Sequence, residues 1–380
     1  MVLSVCAISK YFVRLRDPRR KHLKRHLLID IIAIAICAVI AGADDWQQIV
    51  TFARHRRAWL QTFLALPNGI PSHDTFERVF ERLDPQAFQA CFSQWVQALA
   101  QTLGLGHIAI DGKSLRHSGN AAKGWRPLHL VSAWASQVHL SLGQVTVEQK
   151  SNEITAIPRL LELLDVHGAL VTIDAMGCQK EIAKQIVAGG GDYVLTVKDN
   201  QPNLLVDIQE SLTQALDGNG QGHSCDSYEA TEFGHGRKET RSYFILTHPE
   251  GIRNQEAWQG LKVIGMCLSE RVVNGHRSEE ARYFIGSRLM SAKQYAEALR
   301  GHWGIENNLH WQLDVTFGED ANRVQRRHGA ENLALVRRLA LALLKRHPGK
   351  ESIACKRLAA AYNTDFLEEI LQSGCNLGRE

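Results

Sequence analysis

A chain of 380 residues with 44% apolar and 22% charged side chains is too long for one small domain and too apolar for disorder, so two or three globular domains are expected. The net charge of +4 excludes neither a polyanionic nor a neutral partner, and only the placement of the charges bears on that question. Eight cysteines scattered at 6, 37, 91, 178, 225, 267, 355 and 375 contain no C-x-x-C pair, which argues against a disulfide framework or a zinc cluster and suits a reducing cytoplasm.

The chain begins with a basic segment, Arg14 to Arg25, that carries Arg14, Arg16, Arg19, Arg20, Lys21, Lys24 and Arg25 against Asp17. Such a cluster can neutralise phosphates, or it can simply be a solvated face. Leu27 to Ala43 is the most apolar stretch, but Asp30 interrupts it and Gly42, Asp44 and Asp45 end it, so a buried helix is expected rather than a membrane span. It also lies too far behind the basic cluster to resemble a signal peptide, which leaves a cytoplasmic protein as the expectation. Trp46 to Phe63 has helical spacing, Ser72 offers an N-cap for Thr75 to Leu83, and Asp84-Pro85 opens a helix to about Leu103. Residues 1–103 therefore read as an N-terminal helical domain, a form compatible with DNA binding.

The texture changes at Gly104. His107 to Asp111 has the form of a buried strand ending in an acid, and Leu128 to Ala135 and Val138 to Val147 read as two more strands with a turn between them. A helix over Asn152 to Asp165, flawed by Pro158, leads to a second acid-terminated strand, Ala169 to Asp174. Gln179 to Val187 is a helix stopped by the glycines at 189 to 191, and Tyr193 to Val197 is a strand. This order describes an α/β mixed sheet flanked by helices. After a loop at Asp217 to Gly222, β-rich runs at Arg241 to Leu246, Leu261 to Ser269 and Ala281 to Ile285 suggest an inserted antiparallel sheet over 215–290. Helical texture resumes at Ser291 and closes with an amphipathic helix, Glu331 to Arg346. A second basic stretch there holds Arg323, Arg326, Arg327, Arg337, Arg338, Lys345 and Arg346.

Two acids ending two apolar strands, Asp111 and Asp174, would lie close together if those strands are neighbours in one sheet. Carboxylates forced together either share a proton or hold cations between them, and Mg²⁺ or Mn²⁺ prefers such oxygen ligands. Two ions about 4 Å apart can activate an entering oxygen and stabilise a leaving one at phosphorus. For either Asp alone, a turn former is the better reading. A third acid, Glu306, stands in His302-Trp-Gly-Ile-Glu-Asn-Asn-Leu-His310-Trp311, where His302, Glu306 and His310 fall on one helical face. This is not the H-E-x-x-H zinc pattern, and Trp303, Ile305, Leu309 and Leu313 form an apolar stripe that can coexist with a polar site.

Four segments carry a resemblance: Ile110-Asp-Gly-Lys-Ser-Leu-Arg116, Thr172-Ile-Asp-Ala-Met-Gly177, Val197-Lys-Asp-Asn-Gln201, and His302 to Asp320. In these the chain resembles the bacterial insertion-sequence transposases of the DDE type, in the branch of the H-repeat-associated proteins. The helical start, from about Phe12 to Val96, is similar to the domain that precedes the catalytic core in that branch. The resemblance implies a ribonuclease-H-like core over 104–214 and 291–380, interrupted by the β-rich insertion. It implies Asp111, Asp174 and Glu306 as the catalytic, metal-binding triad for, in all, two Mg²⁺ (or Mn²⁺) ions, and places Lys198, Asn200 and Gln201 beside the active site. The chain departs from the Tyr, Arg, Glu, Lys signature of related transposases. His302 stands at the Arg position, Leu299 lies near the Tyr position, and no Lys follows Glu306 before Lys345. Asp314, Glu319 and Asp320 compete with Glu306 for the third-ligand role.

The function implied is hydrolysis of transposon-end phosphodiesters and 3′-hydroxyl strand transfer into target DNA, by a nucleoid-associated homodimer on double-stranded DNA. Lys113, Arg116, Lys198, Arg237 and Lys238 are expected at the DNA backbone, with Arg300, His302 and His310 as further phosphate contacts. Trp303 and Trp311 are large enough to stack on an unpaired base, although core packing is the better account of at least one of them. The alternatives are a ribonuclease-H-like DNA nuclease without strand transfer, a domesticated or inactive DNA-binding relative, and, with no motif beyond the acids, a sugar hydrolase.

Overall fold

The computed structural model describes residues 10–20, 22, 24–103, 106–147, 153–217, 224–234 and 236–374. In chain order its main elements are α1 (Leu28–Ile40), α2 (Trp46–His55), α3 (Arg57–Leu60), α4 (His73–Arg82), α5 (Pro85–Leu103), β1 (His107–Leu115), β2 (Leu128–Ala135), β3 (Leu140–Val147), α6 (Glu153–Leu161), β4 (Leu170–Ile173), α7 (Lys180–Ala188), β5 (Asp192–Val197) and α8 (Pro202–Asp217). There follow β6 (Ser224–Gly234), β7 (Arg237–Thr247), β8 (Val263–Val273), β9 (His276–Gly286), α9 (Ala292–His302), α10 (Gly329–Arg346), α11 (Ile353–Tyr362) and α12 (Thr364–Ser373). The strands make one nine-stranded mixed sheet of order β3-β2-β1-β4-β5-β9-β8-β7-β6, flanked by helices. This is the expected α/β mixed sheet flanked by helices, with the helical N-terminal region in place. Among the described residues no helix is long and apolar enough to cross a membrane.

The chain forms two compact units: Met1–Gly104, Gly112–Asn152 and Glu306–Glu380 in one, Leu105–Asp111 and Glu153–Ile305 in the other. In the first, α1 and α10 pack against each other and are buried around nearly their whole circumference. A helix that is apolar on every side finds its free-energy minimum inside rather than on a surface. Asp30, the one acid of α1, is buried because its carboxylate accepts the backbone N–H of Leu66 at 2.9 Å.

The expected amphipathic helix Glu331 to Arg346 is therefore a central one, with Asn332 through Leu344 continuously buried. The second basic stretch divides accordingly. Arg323, Arg326 and Arg327 are exposed, whereas Arg337 and Arg338 lie inside. Arg338 donates to Glu319 Oε1 at 2.9 Å and Arg337 to the Asp44 carbonyl at 3.0 Å. Periodicity could not show this, because the partners that make a buried guanidinium tolerable come from distant segments.

The second unit carries the central part of the sheet and its extension. β1 pairs in parallel with β4, β4 in parallel with β5, and β9 returns antiparallel to β5. The expected inserted sheet is thus continuous with the core sheet, joined through the β9–β5 pairing that buries Phe284 and Ile285. Helix α9 lies over β4, β6 and β7, where Ala292, Tyr295 and Ala298 meet Leu170, Val194, Ile245, Val263 and Phe284. β6 had no counterpart in the sequence reading, since Ser224–Gly234 is polar and mostly exposed; pairing with β7 along its whole length defines it. Other differences are local. The helix expected over Trp46 to Phe63 breaks at Arg56, β3 starts at Leu140 after a left-handed turn residue, His139, and β1 continues past Asp111 to Leu115. Gly104, Lys21, Asn152, Cys6, Cys375 and residues 218–222 of the expected loop lie outside the described residues.

The Glu319–Arg338 pair is fully buried, and removing one partner of such a pair costs about 3–5 kcal/mol because the other charge is stranded. Burial alone would raise the Glu319 carboxyl, but Arg338, Lys113 and Arg337 hold it below its ordinary value, so its stabilising contribution is present at neutral pH and fades as pH falls. Arg338→Met is expected to lower the urea midpoint strongly at pH 7 and by progressively less towards the acid range.

Candidate active site

The register of β1 and β4 fixes the geometry of the acids. His107 pairs with Leu170, and the ladder runs in parallel up to Ile110 with Ile173. One position beyond that last pair on each strand stand Asp111 and Asp174, on strands that sheets space about 4.8 Å apart. Asp111 lies within its strand rather than at its end, because β1 goes on to Leu115, whereas β4 stops at Ile173. Asp174 then caps the short turn Ala175–Gly177, accepting the Met176 N–H at 3.1 Å.

Burial raises the Asp174 carboxyl, and the charges of Asp111 and Glu153 raise it further, against lowering bonds from the Gly177 and Met176 backbone. Glu153, at the start of α6 and only 5% exposed, is the acid that the sequence reading passed over. It sits in no strand-end pattern, and only the packing of α6 on the Ala175–Gly177 turn brings it near. Asp174 feels the charges of Asp111 and Glu153, although no group of three or more His, Cys, Asp or Glu among the described residues is drawn into a ready-made metal cage. Two neighbouring carboxylates, one of them raised by burial and by acidic neighbours, are a donor set that suits a hard divalent cation, since Mg²⁺ commonly takes one or two carboxylates and fills its shell with water and substrate phosphate.

The turn after Asp174 is braced from the Val197 to Gln201 segment. Asn200 Nδ2 donates to the Ala175 carbonyl at 2.7 Å, and Gln201 Nε2 donates to the Cys178 carbonyl at 2.9 Å and to Gln179 Oε1 at 3.4 Å. Gly177 packs so closely on Ile173 that a Cβ there would overlap the Ile173 Cγ2, so the turn leaves no room for a larger residue. Lys198 is exposed beside these braces. Behind the acids runs a polar chain: His107 Nε2 and Thr172 Oγ1 are 2.8 Å apart, and Thr172 Oγ1 and His302 Nδ1 are 3.1 Å apart. Burial, followed by the nearby His302, pushes His107 down to about 4, so it is neutral at physiological pH. His302 is thereby tied to the strand that presents Asp174.

Other expected site residues fall elsewhere. Lys113 is buried and ion-paired to Asp314 and Glu319, so its ammonium is occupied inside the protein. Arg116 is exposed and pairs with Asp320 at 3.3 Å, and the exposed Arg300 pairs with Glu232 at 2.8 Å. Arg237 and Lys238 are exposed at the β6–β7 hairpin. Glu306 is exposed and opens a π-helical turn, Glu306–His310, whose Leu309 and His310 are buried; Trp311 follows, 53% exposed. Such wide turns are often found at functional positions. Glu306's three acidic competitors each carry a cation: Lys113 on Asp314, Arg338 and Lys113 on Glu319, Arg116 on Asp320. Lys345, distant in sequence, donates to Asn308 Oδ1 of the same turn at 3.2 Å and lies 5.4 Å from the centre of the Trp134 ring. Burial, with Lys356 nearby, brings the Lys345 ammonium down to about 8.

Comparison with known proteins decides the family. The model of the Transposase DDE domain matches residues 102–343, and that of the DDE_Tnp_1-associated domain matches residues 9–96. The chain belongs to the DDE transposase family. Among relatives of this DDE transposase, "Putative transposase YncI" of Escherichia coli O157:H7 is 41% identical over 99% of the chain and 97% of its own length. "H repeat-associated putative transposase YhhI" of Escherichia coli K12 is 37% identical over 93% of the chain and 95% of its own length, which agrees with the branch named from the motifs. A piggyBac transposase, solved as a synaptic complex with hairpin DNA, aligns with a TM-score of 0.39 and 11% identity over 100% of this transposase and 83% of its own chain.

If the Asp174 carboxyl is raised by its acidic neighbours, removing their charge should let it ionise at lower pH. A carboxyl-carbon NMR titration is expected to show Asp174 titrating lower in Asp111→Asn and, by a smaller step, in Glu153→Gln. An unmoved titration in both would show that the three groups are not neighbours.

Proposed function

We propose that this transposase cuts DNA at the ends of its insertion sequence and joins the freed ends to target DNA, with Asp111, Asp174 and Glu306 as the residues that hold two Mg²⁺ or Mn²⁺ ions. The observation that carries the reading is that Asp111 and Asp174 each stand one step beyond the last pair of the β1–β4 ladder, with the Asp174 carboxyl raised by burial and by its acidic neighbours. Glu306 is supported by the family segment, by its exposure, and by the cations already held by Asp314, Glu319 and Asp320. The bound ions supply positive charge to the entering and leaving oxygens of an in-line displacement at phosphorus.

Everything else falls to the chain. Asp111 and Asp174 fix the position of the scissile phosphate, and Asn200 and Gln201 keep the Asp174 turn in place for it. In the first step the oxygen of water bonds to phosphorus, the bond to the 3′ oxygen breaks, and a 3′-hydroxyl is left. In the second, that hydroxyl oxygen bonds to a target phosphorus and the target's own 3′ oxygen leaves. The exposed Arg116, Lys198, Arg237, Lys238 and Arg300 serve the DNA backbone, with His302 turned toward the phosphate from its anchor on Thr172. His310 and Lys113 support the turn and the strand from inside, and Trp311 stands beside the DNA path. Two copies acting together on two transposon ends complete the proposal, in the cytoplasm and on the nucleoid.

The test is a strand-transfer reaction with Mg²⁺ on oligonucleotides taken from the inverted repeats flanking the gene. Asp111→Asn, Asp174→Asn and Glu306→Gln are each expected to lower cleavage by more than about 100-fold, the scale of losing a group that stabilises transition-state charge. Free 3′ ends without joined product would reduce the protein to a nuclease. Cleavage by Asp111→Asn at the rate of the unaltered chain would overturn the metal-site reading.

A further inference from the structure

The acid at the start of α6 stands where an apolar residue is expected. The buried positions of α6 are Glu153, Ala156, Ile157, Leu160 and Leu161, at i, i+3, i+4, i+7 and i+8, whereas Ile154, Thr155 and Arg159 between them are exposed. Glu153 thus holds the first place on the face that α6 turns inward, and it is almost fully buried. An acid in the first turn of a helix ordinarily favours the positive end of the helix dipole from the surface, where it keeps its water. A carboxylate on the buried face loses most of that water, a cost that only positive charge or hydrogen-bond donors offset.

The face that carries Glu153 is also the one laid on the turn after Asp174. Helix α6 packs on Ala175–Gly177, and a Cβ built on Gly177 would come within 3.1 Å of Ile157 Cδ1. Glu153 lies one helical turn before Ile157 on the same stripe, a step of about 5 Å along the axis. Asp174 caps the turn on which that stripe rests. Both charges that act on the Asp174 carboxyl, those of Asp111 and Glu153, are negative. Negative charge gathered in this way is relieved by a cation. No closed cage is needed, since a doubly charged ion is attracted beyond contact distance and Mg²⁺ keeps several of its waters. Asp111, Asp174 and Glu153 all belong to one compact unit, Leu105–Asp111 with Glu153–Ile305, whereas Glu306 opens a segment of the other.

We infer that Glu153 is a further acid of the divalent-cation site, so that a first ion is held by three carboxylates of a single unit and does not require Glu306. The inference rests on the proposed cation site at Asp111 and Asp174, and adds to it an acid outside the triad. Were Glu153 only a structural residue of α6, its charge would have no bearing on the ion.

The experiment titrates the full chain, without DNA, with Mn²⁺ read by electron paramagnetic resonance, and follows thermal unfolding in EDTA. Glu306→Gln is expected to bind a first Mn²⁺ as tightly as the unaltered chain. Glu153→Gln should weaken that ion at least about ten-fold, the lower end of what losing a group around a bound metal costs. Its unfolding midpoint in EDTA should equal or exceed that of the unaltered chain, because a repelling charge has been removed. An affinity unmoved by Glu153→Gln would overturn the role of Glu153, and one unmoved by Asp111→Asn as well would overturn the cation site with it. A clear fall of the Glu153→Gln midpoint in EDTA would mark a structural residue and also overturn the role. Loss of all binding in Glu306→Gln would overturn the claim that one unit suffices. Should Glu153→Gln fail to fold, substoichiometric Mn²⁺ on the unaltered chain decides by NMR. The amide signals of Asp111, Asp174 and Glu153 should broaden together and recover with excess Mg²⁺, and broadening that spares Glu153 would overturn the inference.

Discussion

The parallel pairing of β1 with β4 is the constraint on which the rest depends. In a parallel ladder, residues in register project alike, so two apolar strands that each reach the same edge deliver the residues that follow them to the same place. Here those residues are Asp111 and Asp174, and a slip of one position would send one carboxylate to the opposite face. The register is secured by the buried residues below the acids: Ile108, Ile110, Val171 and Ile173 are all almost wholly inaccessible to solvent. Hydrophobic burial thus sustains an arrangement that electrostatics alone would disperse.

That repulsion is tolerated because the surroundings of Asp174 are unusually well determined. Its own turn is capped by its carboxylate, held from outside by Asn200 and Gln201, and packed too closely at Gly177 to admit a side chain. Thr172, just before it, sits between two histidines, one of them neutral through burial. In the other unit the same logic appears with opposite result. Arg338, Glu319 and Lys113 are buried charges that neutralise one another, and they hold a helix in the core rather than a ligand at the surface. Buried charges balanced in this way make a structural network, whereas around Asp174 acidic charge is left in excess.

Much of this was legible in the residues. The apolar runs before Asp111 and Asp174, the order of strands through β5, and the HWGIENNLHW segment all pointed to the fold and the family before any coordinates. What could not be read depends on partners far away in the chain. Arg337 and Arg338 look like surface cations until Glu319 and the Asp44 carbonyl are placed beside them. Lys113 looks like a phosphate ligand until Asp314 and Glu319 surround it. β6 is too polar to announce itself, since its regularity comes from pairing with β7 rather than from a buried face. Glu153 lies in an ordinary helix start and gains significance only from the packing of α6. Lys345, far from the Glu306 segment in the chain, reaches Asn308 only in space.

The central claim is that a divalent cation binds where Asp111 and Asp174 meet. Replacing Mg²⁺ by Fe²⁺ with ascorbate and peroxide generates radicals at the bound ion, and these cut the backbone nearest to it. The account predicts cuts beside Asp111 and in the turn after Asp174, with a further cut near Glu306, all suppressed by added Mg²⁺ and absent in Asp111→Asn. Cuts confined to other segments, or a pattern indifferent to Mg²⁺ and to Asp111→Asn, would contradict it.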